Sequence, residues 1–218
     1  PKEGKKIVFI GKFAQNPRYQ GGGSSHINSF KVSSALDAVK DVAQVTYAQG
    51  YDIKEDRIDK ELLDQAVKTA SEADIAVVFA GLPDAFESEG YDRSHMRMPD
   101  CQNTLISEIA KVQKHVVVVL HNGSPVEMPW ADQVEGILEA YLAGQAVGDA
   151  EVALLFGDAN PCGKLAETIP YKLEDNPSYL NFPGDGKTVE YKEGVFVGYR
   201  YYDTKDMAVR YPFGYGLS

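Results

Sequence analysis

No apolar run in this 218-residue chain approaches the roughly 18 residues that a membrane-crossing helix needs. Positive charge is also scarce: 22 Lys and Arg stand against 32 Asp and Glu, for a formal net charge of −10. A nucleic acid needs clustered cations to neutralise its phosphates, and an anionic lipid surface needs the same, so neither is an expected partner. Cysteine occurs only at Cys101 and Cys162. Neither belongs to a CxxC or Cys/His cluster, which argues against zinc. Two free buried thiols are expected, with a disulfide between them as the alternative. The four histidines, His26, His95, His115 and His121, show no HExxH or other metal spacing. No metal or organic cofactor is expected. The start, "PKEGKKIVFIG", shows no signal peptide and enters a strand almost at once. It and the end, "YPFGYGLS", are expected to be cuts in something longer.

The chain does hold short, continuously apolar segments. Strands are predicted at 6–11, 44–50, 74–81, 115–125, 134–142 and 164–170. Helical spacing occurs at 33–42, 59–73, 100–113 and 144–158, with Ser33 or Ser34, Asp59 and Asp100 as candidate caps of the first three. Residues 171–218 are rich in Tyr, Pro, Gly and Asp and carry one extended candidate at 194–203. Strand and helix alternate, and the strands are apolar throughout instead of every second residue. That pattern predicts an α/β fold: a three-layer α/β/α sandwich with a mostly parallel sheet, flavodoxin-like, over 1–170, followed by an irregular arm over 171–218. Ligands of such sheets bind outside the carboxyl ends of the strands. Three loops fall on that rim: "QGGGSSH" (20–26), "DAFESEGYDRSHM" (84–96) and "HNGSP" (121–125).

The glycine loop lacks the Lys-Ser/Thr ending of a P-loop and the strand-to-helix context of GxGxxG, so the nucleotide signal is weak. Its glycines permit close backbone approach to a ligand, and Ser24 and Ser25 offer hydroxyls; a flexible surface turn is the bland alternative. "HNGSP" is not the GxSxG of a nucleophile elbow. The acidic loop is the sharpest feature. A solvated acidic face is the ordinary explanation of such a run. Here, however, Asp84, Glu87, Glu89 and Asp92 interleave with Phe86, Gly90 and Tyr91 after a buried strand. Desolvation and like charge should raise a carboxyl pKa there, as a general acid requires. Arg93 can pair with one acid, most simply Asp92, and hold the loop. Glycoside cleavage uses two carboxylates flanking the bond, and the sequence offers a persuasive candidate for only one.

Six segments in order resemble the C-terminal α/β sandwich domain of glycoside hydrolase family 3, the β-glucosidase group. They are "KIVFIG" followed by "GGGSS" (21–25), "ESEGYDRSHMRMP" (87–99), "VVVVLHNGSPVEMPW" (116–130), "AYLAGQAVGDAEVALLFGDANPCGKLAETIP" (140–170), "VEYKEGVFVGYRYYD" (189–203) and "YPFGYGLS" (211–218). The resemblance covers essentially the whole chain. It implies that Glu89, just before Gly-Tyr-Asp-Arg, is the general acid/base of a retaining β-glucosidase, with Glu87 as its rival. It implies that Gly22, Gly23 and Ser24 approach the sugar and that Asp92 and Arg93 orient the loop. In that family a (β/α)8-type domain supplies the Asp nucleophile, and this chain lacks it. The implied partners are a β-glucoside and that missing barrel domain, and the isolated chain is expected to be inactive. Xylosidase and glucosaminidase activities occur in the same family. A non-catalytic ligand-binding or docking domain on a flavodoxin-like scaffold is the alternative; a nucleotide-binding module is a third reading.

Overall fold

The computed structural model describes residues 2–218. Five strands form one parallel sheet in the order β2-β1-β3-β4-β5: β1 (Ile7–Ile10), β2 (Val45–Ala48), β3 (Ile75–Gly81), β4 (Val116–His121) and β5 (Gly136–Glu139). The centre of the sheet is buried on both faces, which explains the unbroken apolar runs "IVFI" and "IAVVFAG". Phe9 and Phe79 meet there with ring centroids 5.0 Å apart.

Helices α1 (Ala35–Ala38), α2 (Lys60–Ser71), α3 (Asp100–Val112) and α4 (Val147–Leu155) cover the sheet. Parallel crossovers are right-handed. The chain moves one way from β1 to β2 and then the other way through β3 to β4. This sends α1 to one face and α2 and α3 to the other. Accordingly α2 packs on α3, and α4 packs on α1. Gly148 makes the second contact possible, since a Cβ there would strike the Ser34 backbone.

Helix starts follow local chemistry. Asp59 accepts from the amides of Glu61 (3.0 Å) and Leu62 (3.2 Å), and Ser34 Oγ accepts from Asp37 (3.1 Å). The expected cap of α3, Asp100, is instead its first helical residue. Asp56 reaches in from another loop and accepts from the amides of Asp100 and Cys101, both at 2.9 Å.

The chain divides into two compact units: residues through Ser124 together with Met128–Ala159, and Pro125–Glu127 together with Asn160–Ser218. In the second unit two expectations fail. Residues 164–170 form no strand; they pair with 210–215 through one antiparallel bridge, Ile169 to Tyr211. The stretch 194–203 is not extended either, because Tyr199–Thr204 forms helix α5. Its strand-favouring start, Val195, Phe196 and Val197, is followed by Gly198, which breaks the run just before the helix. Both cysteines are free; Cys101 is buried on α3, whereas Cys162 is exposed. Among the described residues no helix is long and apolar enough to cross a membrane, and no cluster of His, Cys, Asp and Glu could hold a metal ion.

Candidate active site

In a sheet of order 2-1-3-4-5 the chain leaves β1 and β3 in opposite directions, and their following loops border a crevice at the carboxyl edge. The sequence carries its glycine loop after β1 and its acidic loop after β3. A third loop, Asn122 to Ser124, follows β4. Hydrogen bonds join all three.

The acidic loop is fastened mainly by a residue that the sequence reading passed over, Arg18. Its side chain is only 5% exposed. Nε donates to Asp84 Oδ1 at 3.0 Å, Nη1 to Glu87 Oε2 at 2.6 Å and to the Leu82 carbonyl at 2.9 Å, and Nη2 to the Glu87 carbonyl at 2.8 Å. Glu87 also accepts from the Gly123 amide at 2.8 Å and from the Ser124 hydroxyl. Burial pushes the Glu87 carboxyl up, but bonds from Ser124, Arg18 and Gly123 outweigh it and hold the group below its ordinary value. Arg93 Nη1 donates to Ser124 Oγ at 2.7 Å, so its loop is tied to the loop after β4. Tyr91 Oη donates to the Asp84 carbonyl and closes the first part of the acidic loop, residues 84–91, on itself. Asp92 is exposed.

Glu89 is different in kind. It is exposed, and its Oε2 accepts from the Ser24 amide at 2.5 Å. The glycine loop does make a close approach, as expected, but what it meets here is the acidic loop. A Cβ on Gly22 would strike Ser88, and one on Gly23 would strike Glu89. The expected rise in carboxyl pKa is not found. Glu89 is held below its ordinary value by the Ser24 backbone N–H and the Ser24 hydroxyl. Burial does little to oppose this, because the group is open to water, and the loop's other acids do not press on it enough to reverse the direction. Titration of Glu89 in the isolated chain, followed by carboxyl-carbon NMR, is therefore expected to fall below the usual glutamate range. Ser24→Ala should move it partway back, since the amide donor survives and the hydroxyl donor is lost.

Arg18 had one signal in the sequence. It is the sole Lys or Arg between Lys12 and Lys31, on a loop that shares a rim with four carboxylates. His121 and Glu151 had none. His121 ends β4, fully buried; its Nδ1 lies 3.2 Å from the Arg18 carbonyl and its Nε2 3.0 Å from Glu151 Oε1 of α4.

The fold is that of the C-terminal α/β domain of a glycoside hydrolase. A Bifidobacterium adolescentis family 3 β-glucosidase superimposes with a TM-score of 0.93 at 50% identity, over 98% of this chain and 32% of that one. The chain belongs to glycosyl hydrolase family 3: the family's C-terminal domain model matches residues 1–199. It is 57% identical, over its whole length, to thermostable beta-glucosidase B of Acetivibrio thermocellus. It is 49% identical, over 98% of its length, to an exo-alpha-(1->6)-L-arabinopyranosidase of Bifidobacterium longum. It spans 29% and 28% of those two relatives.

Proposed function

We propose that this domain supplies the general acid/base, Glu89, to a retaining β-glucosidase that removes terminal non-reducing β-D-glucosyl residues. One observation carries the choice between the two candidate glutamates. Both Glu87 oxygens are committed to Arg18, Gly123 and Ser124, whereas Glu89 faces solvent on the rim with a single donor residue. Glu89 would protonate the glycosidic oxygen as the bond breaks, then take a proton from the water that releases the sugar. Arg93 and Asp92 would orient the loop, and Gly22, Gly23 and Ser24 would lie along the sugar. The nucleophile would come from a barrel domain outside this chain.

A general acid has to keep its proton near neutral pH, and Glu89 alone does not. The missing domain would reverse this by excluding water and by setting its own carboxylate across the bond, both of which raise a carboxyl pKa. By itself the second unit also leaves apolar side chains open to a further domain: Leu180, Tyr191, Val195 and Leu217 stand 67% or more exposed. Substantial likeness, 57% and 49%, to relatives named for different sugars fits a specificity set mainly outside this domain.

The test is hydrolysis of p-nitrophenyl β-glucoside by the 218-residue chain and by the full-length enzyme, side by side. An inactive chain beside an active parent is expected. Turnover by the chain alone would mean that a second carboxylate, Glu87 or Asp84, completes the site within it.

A further inference from the structure

We propose that Arg18 is a positioning residue for the acid/base step, acting through the loop that bears Glu89; the proposal rests on the assignment of Glu89 above. Arg18 touches that loop at Leu82, Asp84 and Glu87, through both main-chain and side-chain atoms. All these contacts lie within the seven positions before Glu89. The guanidinium thereby fixes the path of the chain up to the point where Glu89 leaves it.

Arg18 is itself held from beneath. A backbone carbonyl can only accept, so His121 Nδ1 must be the donor in its contact with Arg18. His121 Nε2 then faces the Glu151 carboxylate at 3.0 Å, with both side chains 2% exposed or less. That contact is close but lacks hydrogen-bond geometry, so it packs α4 against the end of β4. The result is a continuous column: α4, the end of β4, the loop after β1, then the acidic loop. Its upper part depends on a planar fork. Arg18 makes four hydrogen bonds from three nitrogens, and a lysine ammonium, with three N–H donors on one atom, cannot reach the same acceptors at the same angles. The loop needs this fixity because proton transfer demands that the acid meet the leaving oxygen at hydrogen-bond distance.

The column predicts a leaving-group signature. Phenyl β-glucoside needs protonation of its leaving oxygen, and 2,4-dinitrophenyl β-glucoside does not. For each, kcat/KM reports bond cleavage. In the full-length enzyme, Arg18→Lys is expected to lower kcat/KM for the phenyl glucoside by about tenfold or more, to leave the dinitrophenyl value within about threefold, and to act on kcat more than on KM. In a Glu89→Gln background the same substitution should cost less than about threefold further, because the positioned group is already gone. Glu87→Gln keeps the size of the side chain but turns an NH2 toward the donors; it is expected to give the same signature and carries the test if Arg18→Lys does not fold. Equal losses on both substrates, or losses that add to that of Glu89→Gln, would make Arg18 a fold-stabilising residue only and overturn the proposal while leaving Glu89 in place. If Glu89→Gln itself left the phenyl glucoside unaffected, the acid/base assignment and this proposal would both fall.

Discussion

Glu89→Gln in the full-length enzyme is expected to lower kcat/KM for phenyl β-glucoside by about 10²–10⁴-fold, the usual contribution of general acid catalysis. The substituted amide has the same shape as the carboxyl group but no acidic proton to give. The loss should shrink as the leaving group improves, because dinitrophenolate departs without a proton. The second half of the cycle gives an independent check. With the base removed, water attacks the covalent glycosyl-enzyme slowly, so the intermediate should accumulate and appear as a burst of dinitrophenol. Azide needs no deprotonation. In Glu89→Ala, which also opens room beside the anomeric carbon, azide should restore turnover and yield the β-glucosyl azide, with net retention from two displacements. The same substitutions at Glu87 should disturb the loop without azide rescue. A docking domain without catalytic part would leave turnover unchanged in every one of these variants.

The layout of the first unit was legible in the sequence because its strands are buried on both faces. "IAVVFAG" and "VVVVLH" can be little else between helices of amphipathic spacing. The second unit was not legible. Residues 164–170 carry Leu165, Thr168 and Ile169 as a short strand could, yet their bridge partner belongs to the same irregular unit. Gly198 and the aromatic run after it gave no periodicity to mark α5. The candidate site was half legible. The acidic loop announced itself by composition, but the roles of Asp84 and Glu87 depended on a cation 66 and 69 residues earlier. No local pattern connects Arg18 with Glu87; the 2-1-3 strand order does, by setting their loops side by side. The expected pKa of Glu89 failed for a related reason. Aromatic neighbours in sequence do not desolvate a side chain that points to water, and the donors that govern it sit on another loop.

Gly81→Ala should be the most damaging single-methyl change in this chain, at about 4 kcal/mol of folding free energy, combining overpacking against backbone with a strained φ. Gly81 ends β3 opposite His121 of β4, with φ at +145°. A Cβ there would run into the backbone carbonyl, carbonyl carbon and nitrogen of His121. Neither side can yield cheaply. The Gly81 amide donates to the buried Gln102 Oε1 at 2.7 Å, and the Leu82 amide donates to the His121 carbonyl at 2.9 Å. Moving β3 therefore breaks a helix contact, and moving His121 breaks the rung that launches the acidic loop. For a domain of this length the expected drop in Tm is about 8–16 °C, read by circular dichroism of the purified chain. Gly157→Ala separates the two causes. Gly157 also has a positive φ, +80°, just after α4, but nothing lies within 4 Å of where its Cβ would stand. It should lose only the conformational part, about 1 kcal/mol. If both variants fell by the same few degrees, strain alone would account for Gly81. A larger fall at Gly81 means that the tight β3–β4 contact is itself a structural requirement, and since Arg18 grips the Leu82 carbonyl one residue on, loosening that contact also loosens the loop that carries Glu89.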